Sequence, residues 1–366
     1  MDLFKHFGSI SEFNTLKEFF EENNFQANDL IFTSKRVENN FLKDIDFKGK
    51  VLTHNRFEKG ETTNKKIDRI FKEIEKIDFN HIIAIGGGSI IDIAKILALK
   101  PTDDCLKYFH NKMHIQKNHP LIAIPTTCGT GSEVTNISIC YDSIKETKVG
   151  LSHNYLYPEK AILIPELLKN IPYKIYMHSS IDALIHSIEG FLSSNSSTYS
   201  DILAKKSIKM IIEIYKDLIE DKNDFQTKKM LKASNLAGLA FGNAGVGAVH
   251  ALSYPLGGKY HVPHGESNFL FLNEVLKKYK SINPNGKILE LENIINSILE
   301  TNKGILSLNS LITNLIERKP LKEYGMTKEE IKSFSKLVKK TQTRLLKNNY
   351  CKLNVDDFES IYKNLF

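Results

Sequence analysis

Ser180-Ile-Asp182-Ala-Leu-Ile-His186 sets a carboxylate and an imidazole four residues apart, the spacing that puts both on one face of a helix. Downstream, His250-Ala-Leu-Ser-Tyr254-Pro-Leu-Gly-Gly-Lys-Tyr-His261-Val-Pro-His264-Gly265-Glu266 adds histidines around a Pro- and Gly-containing helix break. Asp182, His186, His250 and His264 together make a donor set for a divalent first-row metal. Three imidazoles and one carboxylate suit Fe, Zn, Ni or Cu rather than Mg or Ca. An incompletely filled shell would leave a position for a substrate oxygen. A lone histidine at helical spacing is more often an ordinary core or surface residue. The metal reading therefore rests on all four, drawn from two distant segments.

Two further segments carry backbone chemistry. Ile82-Ile-Ala-Ile-Gly86-Gly87-Gly88-Ser89-Ile-Ile-Asp92-Ile-Ala-Lys95 reads as a strand, a glycine turn and a helix start. Glycines let backbone amides approach a ligand closely, and a helix N-terminus offers unpaired N–H groups to phosphate oxygens. The segment is neither GxGxxG nor GxxxxGK[ST], so neither fingerprint applies. A tight turn alone would use the same glycines. Ile124-Pro125-Thr126-Thr127-Cys128-Gly129-Thr130-Gly131-Ser132-Glu133 leaves a second strand and is dense in hydroxyls and backbone donors. Two such loops at neighbouring strand ends favour a nucleotide over a pair of simple turns.

The elements that must position these groups follow from periodicity. Residues 29–33, 50–53, 81–85, 121–124 and 161–164 are short, Ile-rich runs, the pattern of parallel strands buried on both faces. Residues 65–77 and 90–99 have helical spacing, and 136–141 with 148–151 suit an extra hairpin. After Pro172 the pattern becomes helical: 180–191, 201–220, 224–241, 246–254, 266–279 and 327–346, the last opened by a Thr327/Glu330 capping box. The expected organisation is a dinucleotide-binding α/β domain over 1–171 and a helical metal-binding domain over 172–366. The 366 residues allow two domains. Charged residues make up 25% and alternate in sign, so the net charge of +7 argues for a solvated surface and against a nucleic-acid partner. No apolar run reaches membrane-spanning length and no signal peptide is apparent, so the expectation is a cytoplasmic protein without a membrane partner. Four cysteines without CxxC spacing suggest no disulfide framework.

With these residues in hand, the chain resembles the iron-containing alcohol dehydrogenase family over most of its length. The likeness rests on Gly86-Gly-Gly-Ser89, Pro125-Thr-Thr-x-Gly-Thr-Gly-Ser-Glu133, Asp182-x3-His186 and His250-x13-His264-Gly265. It implies an α/β N-terminal domain with a mainly parallel dinucleotide-binding sheet and an all-α C-terminal domain, an architecture shared with dehydroquinate synthase. It also implies that Asp182, His186, His250 and His264 hold Fe2+, with Zn2+ the alternative. Gly86, Gly87, Gly88 and Ser89 would meet the pyrophosphate, Thr126, Thr127 and Thr130 the rest of the cofactor, and Lys148 matches a family lysine near it. The partner would be a small alcohol or aldehyde, and the assembly a homodimer.

Within the family, His250-Ala-Leu-Ser-Tyr-Pro-Leu-Gly-Gly258 and Arg344-Leu-Leu-x-Asn-Asn-Tyr350 look most like the branch that interconverts 4-hydroxybutyrate and succinate semialdehyde. Butanol, lactaldehyde or diol oxidation are the rival activities inside the family, and a dehydroquinate synthase-like lyase the rival of another class. The chain departs from the family twice. Many relatives carry a histidine where Tyr254 stands, so a proton relay falls to Tyr254 or His261. The acid that often holds the cofactor ribose is replaced by Ser34, followed by Lys35 and Arg36, which weakens exclusion of NADP. NAD remains the cofactor implied by the branch, with NADP the alternative.

Overall fold

The computed structural model describes residues 2–57, 62–145 and 147–366. In the first part of the chain the apolar runs become strands β1 (Ser9–Glu12), β2 (Leu30–Thr33), β3 (Lys50–Thr53), β4 (Ile82–Gly86), β5 (Leu121–Pro125), β6 (Ile137–Asp142), β7 (Thr147–Ser152) and β8 (Lys160–Leu163). Six form one parallel sheet in the order β1-β8-β5-β4-β2-β3, while β6 and β7 pair as an antiparallel hairpin. All residues of β2, β4 and β5 are buried, which is why these central strands are continuously apolar. β1 escaped the sequence reading because Ser-Ile-Ser-Glu has one apolar residue. It is an edge strand paired only with β8, and its residues are exposed apart from half-buried Ser11, so it needs little apolar character.

Helices α1 (Leu16–Glu22), α2 (Lys35–Phe41), α3 (Asn64–Ile74), α4 (Gly88–Leu97) and α5 (Leu106–Phe109) complete this unit. Ile67, Ile70, Phe71 and Ile74 of α3 share one core with Ile90, Ile93 and Ile96 of α4. Each such side chain contributes roughly 1.5–3 kcal/mol on burial. The chain lays β2 and β3 to one side, then returns past them to set β4, β5 and β8 on the other. The reversal falls between β2 and β4, and ligands of open α/β sheets bind at that switch, beyond the strand carboxyl ends.

Beyond Pro172 the described residues contain no strand. They form α6 (Tyr173–Leu192), α7 (Thr198–Glu220), α8 (Thr227–Ala244), α9 (Ala248–Tyr260), α10 (His264–Ile282), α11 (Lys287–Leu299), α12 (Ile305–Leu315), α13 (Lys328–Thr341), α14 (Thr343–Leu346) and α15 (Val355–Leu365). Every residue from Ser180 to Leu192 is buried, so α6 is the central helix, and any charge on it must find a partner. No single helix among the described residues is long and apolar enough to cross a membrane.

Three details differ from the sequence reading. The helix break is placed later than Pro255, because α9 runs through that proline and ends at His261, whose φ of 55° is left-handed. A proline inside a helix removes one backbone bond. Here side chains cover nearby carbonyls: Tyr362 Oη donates to Leu252 O at 2.6 Å and Ser267 Oγ to Ser253 O at 2.9 Å. The stretch 327–346 is two helices rather than one, divided at Gln342. Finally, the chain forms two compact units, one of His6–Ile171 and one of Pro172–Phe366 with the residues through Lys5. The first residues go with the helices because the Lys5 N–H donates to Asn243 Oδ1 at 2.6 Å, and Asn243 Nδ2 returns a bond to the Lys5 carbonyl.

Candidate functional site

The four metal-ligand candidates converge within the helical unit. Asp182 and His186 lie one turn apart on α6, His250 in the first turn of α9, and His264 at the first residue of α10. One ligand atom from each lies within 4.8 Å of all the others. His250 Nε2 is 3.0 Å from His186 Nε2, and Asp182 Oδ1 is 3.9 Å from His250 Nε2 and 3.8 Å from His264 Nε2. Asp182, His186 and His250 are buried and His264 is half-buried. A 103° bend between α8 and α9 delivers His250. Gly265 lets α10 begin against α6: a Cβ there would lie 2.2 Å from the His178 carbonyl oxygen.

Burial acts to raise the Asp182 carboxyl, but His186, His264, His250 and the Asn268 amide outweigh it and hold it below the usual carboxylate range. The site is thus arranged around an acid held ionised among three imidazoles. Four residues the sequence reading passed over, Glu189, Asn268, Ser253 and Phe241, set this arrangement. Glu189 Oε2 lies 2.6 Å from His250 Nδ1, while its Oε1 accepts the Val249 N–H at 2.7 Å. With Nδ1 bound to that carboxylate, His250 turns its Nε2 lone pair toward the cluster. Asn268 Nδ2 donates to Asp182 Oδ1 at 2.8 Å and lies 3.2 Å from His264 Nε2, and Ser253 Oγ donates to Asn268 Oδ1 at 2.5 Å. His186 is held flat against Phe241, ring centroids 4.1 Å apart. Glu189 was findable: an acid seven residues after Asp182 on one helix shares its face.

The two proton-relay candidates part company. Tyr254 is buried one turn after His250, with its ring 6.3 Å from that of His264. His261 is exposed at the left-handed end of the same helix.

In the α/β unit the structure brings the glycine and threonine loops together at the carboxyl ends of the paired strands β4 and β5. Gly87 caps α4 with no side-chain hydrogen bond, leaving that end to backbone N–H groups. A Cβ on Gly88 would lie 2.6 Å from Thr130 Cγ2, and one on Gly87 would touch Thr127 at 3.4 Å. The Thr126 N–H donates to the Gly86 carbonyl at 3.0 Å. Ser89 is exposed, while Thr126, Thr127 and Thr130 are half-buried. On the other flank Thr33 pairs with Ile85, so Ser34 follows directly at the end of β2, where its Oγ caps α2 by accepting the Val37 N–H at 3.3 Å. Lys148 lies on β7 opposite Tyr141.

That hairpin is fastened to α4. Lys95, fully buried, donates from Nζ to Ser132 Oγ at 2.9 Å, Thr135 Oγ1 at 3.0 Å and the Ile137 carbonyl at 2.7 Å. Asp92 accepts from Ser132 Oγ and from the Ile139 N–H. Burial pushes the Lys95 ammonium down to about 8, against the pull of Asp92 and Glu133.

An Asp and three His clustered in one unit, with a glycine-led helix start in the other, is a combination that relatives can test. Residues 7–165 match the iron-containing alcohol dehydrogenases, and residues 176–366 match the C-terminal part of the Fe-containing alcohol dehydrogenase family. The chain belongs to the iron-containing alcohol dehydrogenase family. It is 43% identical over 371 residues to 4-hydroxybutyrate dehydrogenase of Clostridium kluyveri, with 100% of each chain covered. It is 29% identical to an NADPH-dependent butanol dehydrogenase of Clostridium saccharobutylicum, covering 89% of this chain and 86% of that one. The solved structure of sulfoacetaldehyde reductase from Bifidobacterium kashiwanohense in complex with NAD+ superposes with a TM-score of 0.86 at 25% identity, covering 99% of this chain and 98% of the other. As an iron-containing alcohol dehydrogenase the chain is an oxidoreductase, and both loops and the Asp/His cluster lie inside the matched regions.

Proposed function

We propose that this chain interconverts 4-hydroxybutyrate and succinate semialdehyde with NAD(H) and one divalent metal, Fe2+ in preference to Zn2+. The carrying observation is full-length 43% identity to an enzyme named for that substrate. Metal binding is assigned to Asp182, His186, His250 and His264 in the helical domain, 172–366. The dinucleotide is assigned to Gly86–Ser89, Thr126, Thr127, Thr130, Lys148 and Ser34 in the α/β domain, 1–171. Support for the metal comes from the donor chemistry, since an imidazole-rich set with ligand atoms within 4.8 Å of one another suits a first-row ion. Support for the dinucleotide comes from the uncapped α4 terminus and the close approach of Gly88 to Thr130.

When bound, the ion supplies Lewis acidity at the substrate oxygen, and the dinucleotide supplies the hydride acceptor or donor. The protein supplies orientation. Glu189 fixes the His250 tautomer, Asn268 steadies Asp182, and Phe241 fixes the His186 plane. We assign proton exchange to the Tyr254 hydroxyl and the His261 imidazole. The family's alcohols also include butanol, lactaldehyde and diols, and the protein is proposed to work in the cytoplasm as a homodimer, the commonest symmetric assembly.

A substrate panel tests this. Purified enzyme assayed with 4-hydroxybutyrate, butanol, lactaldehyde and diols should favour 4-hydroxybutyrate by at least about tenfold in kcat/KM; equal values would remove the substrate assignment. His264→Ala should lose both the metal, about one per chain in the parent, and turnover. Full metal content in that variant would reject the ligand set.

A further inference from the structure

The bend that delivers His250 is made by Gly245-Val246-Gly247, between α8 and α9. Gly245 has a φ of 81°, left-handed backbone that glycine adopts without steric penalty. A turn with two glycines has little to hold it from within, so its shape must be imposed by neighbours. Asn348 and Asn349, in the stretch that follows α14, do this, and both are buried. Asn348 Nδ2 donates to the Val246 carbonyl at 3.0 Å, across 102 residues of chain. Its Oδ1 accepts from Asn195 Nδ2 at 2.6 Å, and its backbone carbonyl accepts the Ser194 N–H at 3.0 Å. The loop after α6 is thereby closed on the same asparagine, and Ser193 Oγ adds a bond to the Ala244 carbonyl at 2.6 Å. Both glycines are required by this contact. A Cβ on Gly245 would run into Asn348 Nδ2, and one on Gly247 would lie 2.7 Å from Asn349 Oδ1.

What the turn fixes lies on both sides of it. Before it, the Phe241 carbonyl accepts the Gly245 N–H at 2.6 Å, and the Phe241 ring lies flat against His186. After it, Glu189 takes the Val249 N–H and His250 Nδ1. The Cβ imagined on Gly247 would also lie 3.4 Å from Glu189 Oε1 and 3.4 Å from Tyr279 Oη, so three side chains from separate segments meet at the start of α9. Gly247 itself gives that helix no side-chain cap, which leaves its first turn to be located from outside. Ligand geometry needs support to within about 0.5 Å, so a turn free to shift would carry Phe241 and His250 out of place together. We infer that Asn348 and Asn349 are positioning residues for the metal centre. They clamp the Gly245–Gly247 turn and so set the directions of His186 and His250, two of the four ligands. The inference rests on the metal assignment above.

Titrating the metal-free, full-length protein separates the inference from that assignment. Zn2+ affinity is read by competition with a fluorescent chelator, and ligand geometry by the visible absorption of bound Co2+. Asn348→Ala removes the bond to Val246, and Zn2+ affinity should fall by about tenfold, as for other outer partners of a metal site, with the Co2+ bands displaced. Asn348→Asp, closer in shape, also lacks the donor to Val246 and carries the same test if the alanine variant does not fold. Gly247→Ala, which presses on Asn349 at the other end of the turn, should weaken Zn2+ binding as well. Combined with Glu189→Gln, Asn348→Ala should lose less affinity than the product of the two single losses, because both act on His250. A merely structural clamp would lower the melting temperature of the metal-free variants and leave Zn2+ affinity and the Co2+ spectrum as in the parent. That result, or losses that multiply in full with Glu189→Gln, overturns the inference and leaves the ligand set intact. Absence of metal binding by the parent overturns both.

Discussion

An imidazole offers a cation only one of its two nitrogens, and the partner of the other decides which. At His250 that partner is Glu189, 2.6 Å from Nδ1 and itself held by the Val249 N–H. Removing the carboxylate charge while keeping the shape isolates this effect. Glu189→Gln should weaken metal affinity by about 10- to 100-fold, the usual cost of losing an outer partner, as read by competition with a fluorescent chelator. Unchanged affinity would mean that helix packing alone orients His250. The same residue shows what spacing can and cannot convey. Asp182, His186 and Glu189 share one face of α6 by helical geometry, so their proximity was legible. That Glu189 backs His250 rather than filling the cluster depends on α9 and could not be read from α6.

At the scale of elements, α4 serves two ends at once. Its N-terminus carries the glycine turn, and three residues apart on its length Asp92 and Lys95 grip the threonine loop and the β6–β7 hairpin. Lys95 is a buried cation between Asp92 and Glu133, and deleting one member of such a set strands the others. Lys95→Met should destabilise the protein by about 3 kcal/mol in urea unfolding. The Asp92→Asn/Lys95→Met double variant should cost less than the sum of the single changes, as expected for residues in contact. Strict additivity would show that the two act independently. α4 itself, like β2 to β5, was legible from apolar periodicity. Its grip on the hairpin was not, because Asp92 and Lys95 read equally well as an ordinary i,i+3 surface pair until burial is known.

At the scale of the whole molecule, stability should fall on mild acidification. His54 accepts a contact from the Lys66 ammonium at 3.1 Å, and burial together with that neighbouring charge lowers it to about 4 from an ordinary value near 6.5. Above about 6.5 the imidazole is neutral in both folded and unfolded chains. As pH falls from there toward 4 the unfolded chain takes up a proton that the folded one refuses, so stability declines with pH. His54→Asn keeps an acceptor for Lys66 and removes the titration, so its melting temperature should fall less steeply across this window; parallel slopes would assign the acid sensitivity elsewhere. Over the same scale, the sequence by itself determined the strand-and-helix alternation, the change to helices after Pro172, the two backbone-rich loops and the pairing of Asp182 with His186. These properties are local, governed by side-chain period and by contacts three or four residues apart. Only the tertiary structure decided that His250 and His264 close on that pair, that the first residues join the helical unit, and that Asp92 and Lys95 hold the β6–β7 hairpin. The physical reason is that each depends on backbones far apart in sequence meeting at close range, as where Gly265 leaves room for the His178 carbonyl, and no local pattern encodes such a meeting.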